Sequence, residues 1–263
     1  MDGADALLAA FDEQRARMPH VVPDGVVAEQ DGPLLRTTGW ARGGFVEYRD
    51  LGGLEGPELD ALIARQVRFF AGRGEHFEWK LHGHDLPRGL PWRLRAAGFV
   101  PDPEESVLVA EVAEIAREAT PPRDVSLRET TSAEDIARIA GLQERIWGGD
   151  CSWLVEMLGE RLALDPDSLC IAIAEAGGEC VAAGWLRLER ETPFARLNGG
   201  STLKQWRGRG IYRALVAHRA MTATARGYRY LTVDASAESR PILERLGFVA
   251  ITSTTPYIWT PPE

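Results

Sequence analysis

Lysine is almost missing from this chain: Lys80 and Lys204 are the only two among 30 basic residues, and the rest are arginine. With the abundant alanine, that imbalance reads as a coding bias rather than as chemistry. Cysteine is scarce as well. Cys151, Cys170 and Cys180 are odd in number and lack metal-ligand or redox spacing, which argues against a disulfide framework and a metal site and fits a reducing cytoplasm. No apolar run approaches the roughly 18–20 residues that span a bilayer, so no membrane partner is expected. The opening Met1-Asp2-Gly3-Ala4-Asp5 is acidic and has no basic stretch ahead of an apolar one, so no signal peptide is expected. The net charge of −9 lacks the basic footprint on which nucleic-acid binding depends. It is compatible with a cationic small-molecule acceptor, although acidity usually serves solubility alone.

What remains is 263 residues, 44% of them hydrophobic, enough for one large domain or two ordinary ones. The stretch Glu118-Ala119-Thr120-Pro121-Pro122-Arg123-Asp124 reads as a linker, because paired prolines lack backbone donors and favour extended chain. The expected division is therefore 1–118, a linker at 119–124, and 125–263.

In the second half, Val125 to Arg128 reads as a strand, and Thr131-Ser132-Ala133-Glu134 as a capping box opening a helix with Ile136, Ile139 and Leu142 on one face. A second helix is expected from Trp153 to Leu164. A hairpin follows, from Leu169 through Gly177-Gly178 to Leu188. Phe194 to Leu197 is a strand, about Ile211 to Ala225 a helix stopped by Gly227, Tyr228 to Val233 a strand, Ser239 to Leu246 a helix, and Val249 to Trp259 terminal strand. This order predicts a mixed α/β layer, neither bundle nor sandwich. The first half repeats its later part: strand at 44–48, helix at 57–70, strand at 77–81, short helix, then Gly98-Phe99-Val100 and a strand at 107–109. Gly247-Phe248-Val249 is the matching element, so the chain reads as an internal duplication with a diverged first copy.

The most informative stretch is Gln205-Trp206-Arg207-Gly208-Arg209-Gly210-Ile211-Tyr212. It joins a strand to an amphipathic helix. Glycines there let backbone approach a ligand closely, and the helix terminus offers unpaired N–H groups suited to a pyrophosphate. A nucleotide P-loop would need Lys-Ser/Thr after its last glycine, and a dinucleotide loop a third glycine where Arg213 stands.

This loop resembles motif A of the GNAT superfamily of N-acyltransferases, Q/R-x-x-G-x-G/A, with Gln205, Gly208 and Gly210 in register. Leu246-Gly247-Phe248 resembles the end of the family's motif B, and the element order from Val125 onward is similar to the GNAT fold. The two halves together resemble tandem GNAT proteins whose N-terminal copy is truncated and degenerate, since Leu51-Gly52-Gly53-Leu54-Glu55-Gly56 has glycines but no cation and leads into Pro57. The resemblance implies acetyl-CoA as co-substrate without a metal. It would be held by the backbone of Trp206, Arg207, Gly208, Arg209, Gly210, Ile211 and Tyr212 together with Gln205. Thr202 and Leu203 would run alongside pantetheine, Ser239 would contact the cofactor arm, and the Leu203 amide or its neighbour would be the oxyanion donor.

The family's usual acid, a tyrosine four residues before the motif B glycine, is Leu243 here, and the usual strand glutamate has no counterpart in Arg196 to Gly200. Asp234 is the candidate base, with Tyr257 as a second catalytic candidate. Trp147, Trp153 and Asp150 or Glu156 could wall an amine pocket. His82-Gly83-His84-Asp85 reads as a surface loop rather than a metal site, and His218 as a plain helix residue. The expected function is transfer of an acetyl group to a primary amine of a small molecule within a ternary complex, by a monomer or homodimer. A non-catalytic acyl-CoA sensor and a protein lysine acetyltransferase are the alternatives.

Overall fold

The computed structural model describes residues 3–19, 22–117 and 120–262. Part of the expected linker, Glu118 and Ala119, lies outside them. In chain order the elements are α1 (Gly3–Asp12), β1 (Val27–Asp31), β2 (Leu34–Thr38), β3 (Gly44–Tyr48), α2 (Gly56–Arg73), β4 (Phe77–His82), α3 (Leu90–Ala96), β5 (Val100–Pro101), β6 (Glu105–Glu111) and α4 (Val112–Ile115). They continue with β7 (Ser126–Thr130), α5 (Ala133–Trp147), α6 (Trp153–Leu164), β8 (Leu169–Ala176), β9 (Glu179–Leu188), β10 (Phe194–Thr202), α7 (Ile211–Ala225), β11 (Tyr230–Ala235), α8 (Arg240–Leu246) and β12 (Val249–Trp259). No helix among the described residues is long and apolar enough to cross a membrane.

The chain packs as two units. The first is Met1–Val107 with Ala235–Ala237 and Ala250–Glu263; the second is Leu108–Asp234 with Glu238–Val249. The expected boundary follows the duplicated sequence, whereas this division follows packing. The two part company at the end of the chain, because β12 pairs antiparallel with β4 over six positions, Thr254↔His82 to Trp259↔Phe77. Ladder hydrogen bonds fix a strand to its neighbour whatever its place in sequence.

In the first unit the strand order is β1-β2-β3-β4-β12, with β5 also on β12. β3 and β4 are parallel, joined by α2. α2 forms because Pro57 suits a first turn and because Leu59, Leu62, Ile63, Gln66 and Phe70 fall on one buried face at helical spacing. Gly74, at φ 64, ends it in the left-handed conformation. The core is aromatic: Phe70 stacks on Phe77 with centroids 4.0 Å apart, and Trp79, Phe99, Tyr257 and Trp259 pack around them.

In the second unit the order is β11-β10-β9-β8-β7. β8 and β9 are buried along nearly their whole length, as strands are when both faces are covered. Here α5 and α6 contribute Ile136, Ile139, Leu142, Leu154 and Leu158 to the core, and α7 contributes Ile211 and Leu215. The expected hairpin forms with Gly177 and Gly178 at φ 56 and 83. α5 starts where expected, but not through a capping box. Ser132 is the N-cap with no side-chain cap bond. Instead Asp135, in the first turn, accepts hydrogen bonds from Thr130 Oγ1 (2.6 Å), Arg128 (2.7 and 3.0 Å) and Arg138 (2.8 Å).

Candidate active site

β10 is held on its two edges very differently. Towards β9 it pairs from Ala195↔Leu188 to Thr202↔Ala182, interrupted by a bulge between Asn198 and Ser201. Towards β11 the parallel register covers three positions, Phe194↔Tyr230 to Arg196↔Thr232. Beyond Arg196 the two strands therefore part. Asn198 Oδ1, Thr202 Oγ1 and Thr232 Oγ1 are buried along this opening without a hydrogen-bond partner among the described residues. Buried polar atoms are normally satisfied, so these three, at and beyond the last paired position, stand out.

The bulge is fixed from both sides. Gln143 on α5 donates through Nε2 to Gly199 O and Ser201 Oγ, each at 3.0 Å. From α7, Arg219 donates through Nη1 to Asn198 O and Trp185 O, both at 3.2 Å, and through Nε to Leu215 O at 3.1 Å. Arg219 is 1% exposed, and burial pulls its pKa below the ordinary arginine value. The glycines of the bulge are steric necessities. A Cβ at Gly199 would lie 1.8 Å from the Trp185 ring, and one at Gly200 would lie 2.9 Å from the Tyr212 ring. Burial also raises the pKa of the Tyr212 hydroxyl, against the opposing pull of Arg219.

After β10 the chain makes a short 3₁₀ turn, Lys204–Trp206, with Trp206 N–H donating to Leu203 O at 2.8 Å. Gly208 and Gly210 have φ of 75 and 85, and nothing lies within 4 Å of a Cβ at either. Gly210 is the N-cap of α7, and Ala214 N–H donates back to Gly210 O at 3.0 Å. Amides ahead of Ala214 have no intrahelical acceptor by helix geometry, and they carry the positive end of the dipole. The arginines are less free than their sequence suggests. Arg209 pairs with Asp124 at 2.8 Å and sits 4.4 Å over the Trp206 ring, while Arg207 donates to Thr202 O at 3.2 Å and to Glu238 at 3.4 Å. Gln205 is exposed on the turn, and Ser239 is the N-cap residue of α8.

Other expected residues fall as follows. Leu203 cannot supply the oxyanion donor, because its N–H is committed to Val181 O at 2.9 Å. Asp234, two positions beyond Thr232 on β11, accepts from Arg196 Nη1 at 3.2 Å. Tyr257 belongs to the first unit, where it is buried opposite Trp79 with Arg95 5.8 Å from its ring centre. Trp147 is 61% exposed, Asp150 accepts from Ser152 N–H in a local turn, and Glu156 is exposed; these side chains do not form a walled pocket. His218 is a helix residue bonded to Glu129 at 3.0 Å. In the His82-Gly83-His84-Asp85 stretch His82 closes β4 and is buried and Gly83 is exposed, while the Asp85 side chain turns inward and is 4% exposed. No group of three His, Cys, Asp or Glu among the described residues is arranged for a metal.

Gln143 and Arg219 were not visible as site residues beforehand. Each reads as an ordinary polar residue on a helix, and only its burial reveals that it grips the bulge.

A short parallel strand pair that parts beside a glycine-capped helix terminus is an α/β arrangement. Residues 143–257 match the family described as an acetyltransferase (GNAT) domain. Over that stretch the chain is similar to GNAT acetyltransferase domains. Solved structures share the fold along nearly the whole chain. A GCN5-related N-acetyltransferase from Kribbella flavida has 16% identity, a TM-score of 0.69, and coverage of 99% of this chain and 95% of that one. A tandem GNAT protein from the clavulanic acid biosynthesis pathway has 12% identity, a TM-score of 0.66, and coverage of 98% and 94%. A GCN5-related N-acetyltransferase from Sphaerobacter thermophilus has 14% identity, a TM-score of 0.63, and coverage of 87% and 76%. No curated protein matches the sequence.

Proposed function

We propose that the second unit binds acetyl-CoA and transfers its acetyl group directly to a primary amine of a small molecule, within a ternary complex. The observation that carries this reading is the opening between β10 and β11, with its orphaned Asn198, Thr202 and Thr232 atoms leading to the N-terminus of α7. The residues present fit the group: an extended amide-bearing arm can satisfy strand edges, and a pyrophosphate suits the amides between Gly208 and Arg213. Acetyl-CoA, when bound, supplies the acyl group as an activated thioester. The protein's own part is to hold and orient, which by itself lowers a bimolecular barrier substantially. With the Leu203 amide committed elsewhere, the oxyanion donor in this reading is an amide of the bulge at Gly199 or Gly200. Asp234 is the group that would receive the amine's proton. The first unit, in this reading, is the copy that has lost its cofactor site.

A non-catalytic acyl-CoA sensor is the second reading. Two observations favour it: Leu243 stands buried where the family's acid would be, and Asp234 is engaged by Arg196. Calorimetric titration of acetyl-CoA into the wild type and Gly210→Val, followed by thiol release over an amine panel, separates the two. Valine at φ 85 is strained and crowds the approach to the amides. Binding that Gly210→Val loses, with thiol release on some amine, supports the transferase. Binding without release on any amine favours the sensor, and no binding by the wild type sinks both.

A further inference from the structure

Arg187 on β9 and Arg196 on β10 are direct cross-strand partners, an arrangement of like charges that costs stability. They lie on the sheet face that carries Trp185 and Asn198, because side chains two apart on a strand share a face, and Trp185 packs with the α5 and α6 core. Arg161 of α6 joins them. Glu189 Oε1 accepts from Arg187 Nη2 and lies 3.9 Å from Arg161 Nη2. Asp234 accepts from Arg196. The three guanidiniums face Glu189 and Asp234 directly, and Asp165 acts on Arg161 through its charge.

The three arginine side chains are partly withdrawn from solvent, between about a quarter and a third exposed. Arg161 Nε and Arg187 Nε are buried and have no hydrogen-bond partner among the described residues. Burial, reinforced by Arg187, brings the Arg161 pKa down to about 10. Folding gains little from this arrangement of Arg187 directly opposite Arg196, since like charges across a strand pair are destabilising. Its position is specific: Arg196 is the last residue of β10 in register with β11, opposite Thr232, where the strands part. Glu189, whose side chain is half exposed, already shows which chemistry fits there.

Resting on the acyl-transfer reading above, we propose that Arg161 and Arg187, with Arg196, hold a carboxylate of the acceptor, so that the amine substrate is of the amino-acid class. Planar guanidiniums match a carboxylate in fork geometry, and a ligand carboxylate would take the place of Glu189.

The test pairs each amino acid with its decarboxylated amine: lysine against cadaverine, tyrosine against tyramine, histidine against histamine. Thiol release from acetyl-CoA gives kcat/KM, and calorimetry of the N-acetylated forms in the presence of CoA gives affinity without requiring turnover. The expected result is a preference for the acid in at least one pair of about ten- to hundredfold, the factor one charge-assisted contact supplies. Arg161→Gln and Arg187→Gln should each cut that preference while leaving acetyl-CoA affinity unchanged, which also reports that the variants are folded. No preference for the acid in either measurement, or a preference that survives both variants, overturns the proposal while the acyl-transfer reading stands. Failure of the wild type to bind acetyl-CoA would instead remove that reading and this proposal with it.

Discussion

The two units contain the same crossover and finish it differently. In each, a parallel pair spans three positions, Gly44↔Phe77 to Val46↔Trp79 in the first and Phe194↔Tyr230 to Arg196↔Thr232 in the second. In each, a seven-residue helix follows and ends on Gly-Phe with the same bonds. Gly98 N–H reaches Arg95 O at 3.0 Å and Phe99 N–H reaches Leu94 O at 3.1 Å; Gly247 N–H reaches Glu244 O at 3.0 Å and Phe248 N–H reaches Leu243 O at 3.1 Å. What differs is the space beyond the paired positions. In the first unit Asp85 bridges the parting strands, accepting from Tyr48 Oη at 2.6 Å and His82 N–H at 2.8 Å, while Arg15 donates to it at 2.8 and 3.1 Å. Buried polar atoms without a hydrogen-bond partner among the described residues remain in both units, Arg15 Nε and Trp79 Nε1 in the first and Asn198 Oδ1, Thr202 Oγ1 and Thr232 Oγ1 in the second, but the second has no such carboxylate bridge described between its parting strands. The helix entrances differ in detail: α2 begins with Glu55 as N-cap followed by Gly56 and Pro57, where α7 has Gly210 as N-cap followed by Ile211. The first unit fills this space with its own side chains; in the acyl-transfer reading proposed above, the second keeps it for a ligand.

The sharpest way to break this comparison is Asp85→Ala. It leaves Arg15, 6% exposed, without its main partner, and should destabilise by about 3–5 kcal/mol in denaturant titration while sparing acetyl-CoA affinity. A loss below about 1 kcal/mol, the scale of a surface pair, would mean the bridge is incidental.

Next in size is Gly199→Ala. Overpacking the Trp185 ring should cost about 1–3 kcal/mol and, unlike Asp85→Ala, should remove acyl transfer. Unaltered turnover would detach the bulge from the site.

A smaller effect distinguishes bridging carboxylates from orphaned sites within the second unit. Arg128, Thr130 and Arg138 hold the Asp135 carboxyl far below the usual range. A depressed folded value stabilises above the unfolded pKa of about 3.9 and fades below it. Asp135→Asn should therefore cost about 1 kcal/mol at neutral pH, a figure discounted for nearby solvent. The gap from wild type should close as pH falls through the acid range; a gap independent of pH would assign the effect to packing.

The least perturbing experiment asks whether the second unit is loose. Burial pushes Cys170 up to about 12 and Cys180 up to about 11, so their thiolates are rare at pH 8. One rapid thiol, Cys151, is expected with a disulfide reagent in the native state and three after denaturation. Three at once would show that the unit opens freely.

Much of this was legible beforehand, wherever the signal is local. The helices at 153–164 and 211–225 and the Gly177-Gly178 hairpin rest on periodicity and turn chemistry within a few residues of themselves. The capping box failed because Asp135 met Arg128 and Thr130, which lie across a turn and offered the stronger bonds. His82-Gly83-His84-Asp85 misled because its partners, Arg15 and Tyr48, are 70 and 37 residues from Asp85, and polarity alone suggests surface.

By itself the sequence determined the motif A loop and the class of fold, because a glycine at positive φ, a helix start and a Gly-Phe stop are requirements of the local backbone. The tertiary structure decided that Asp85, Tyr48 and Arg15 meet beside the first parallel pair, that β12 completes the first unit, and that Arg161, Arg187 and Arg196 converge. Strand register and burial set those outcomes. Both depend on contacts between residues far apart in the chain, whose meeting no short window of residues encodes.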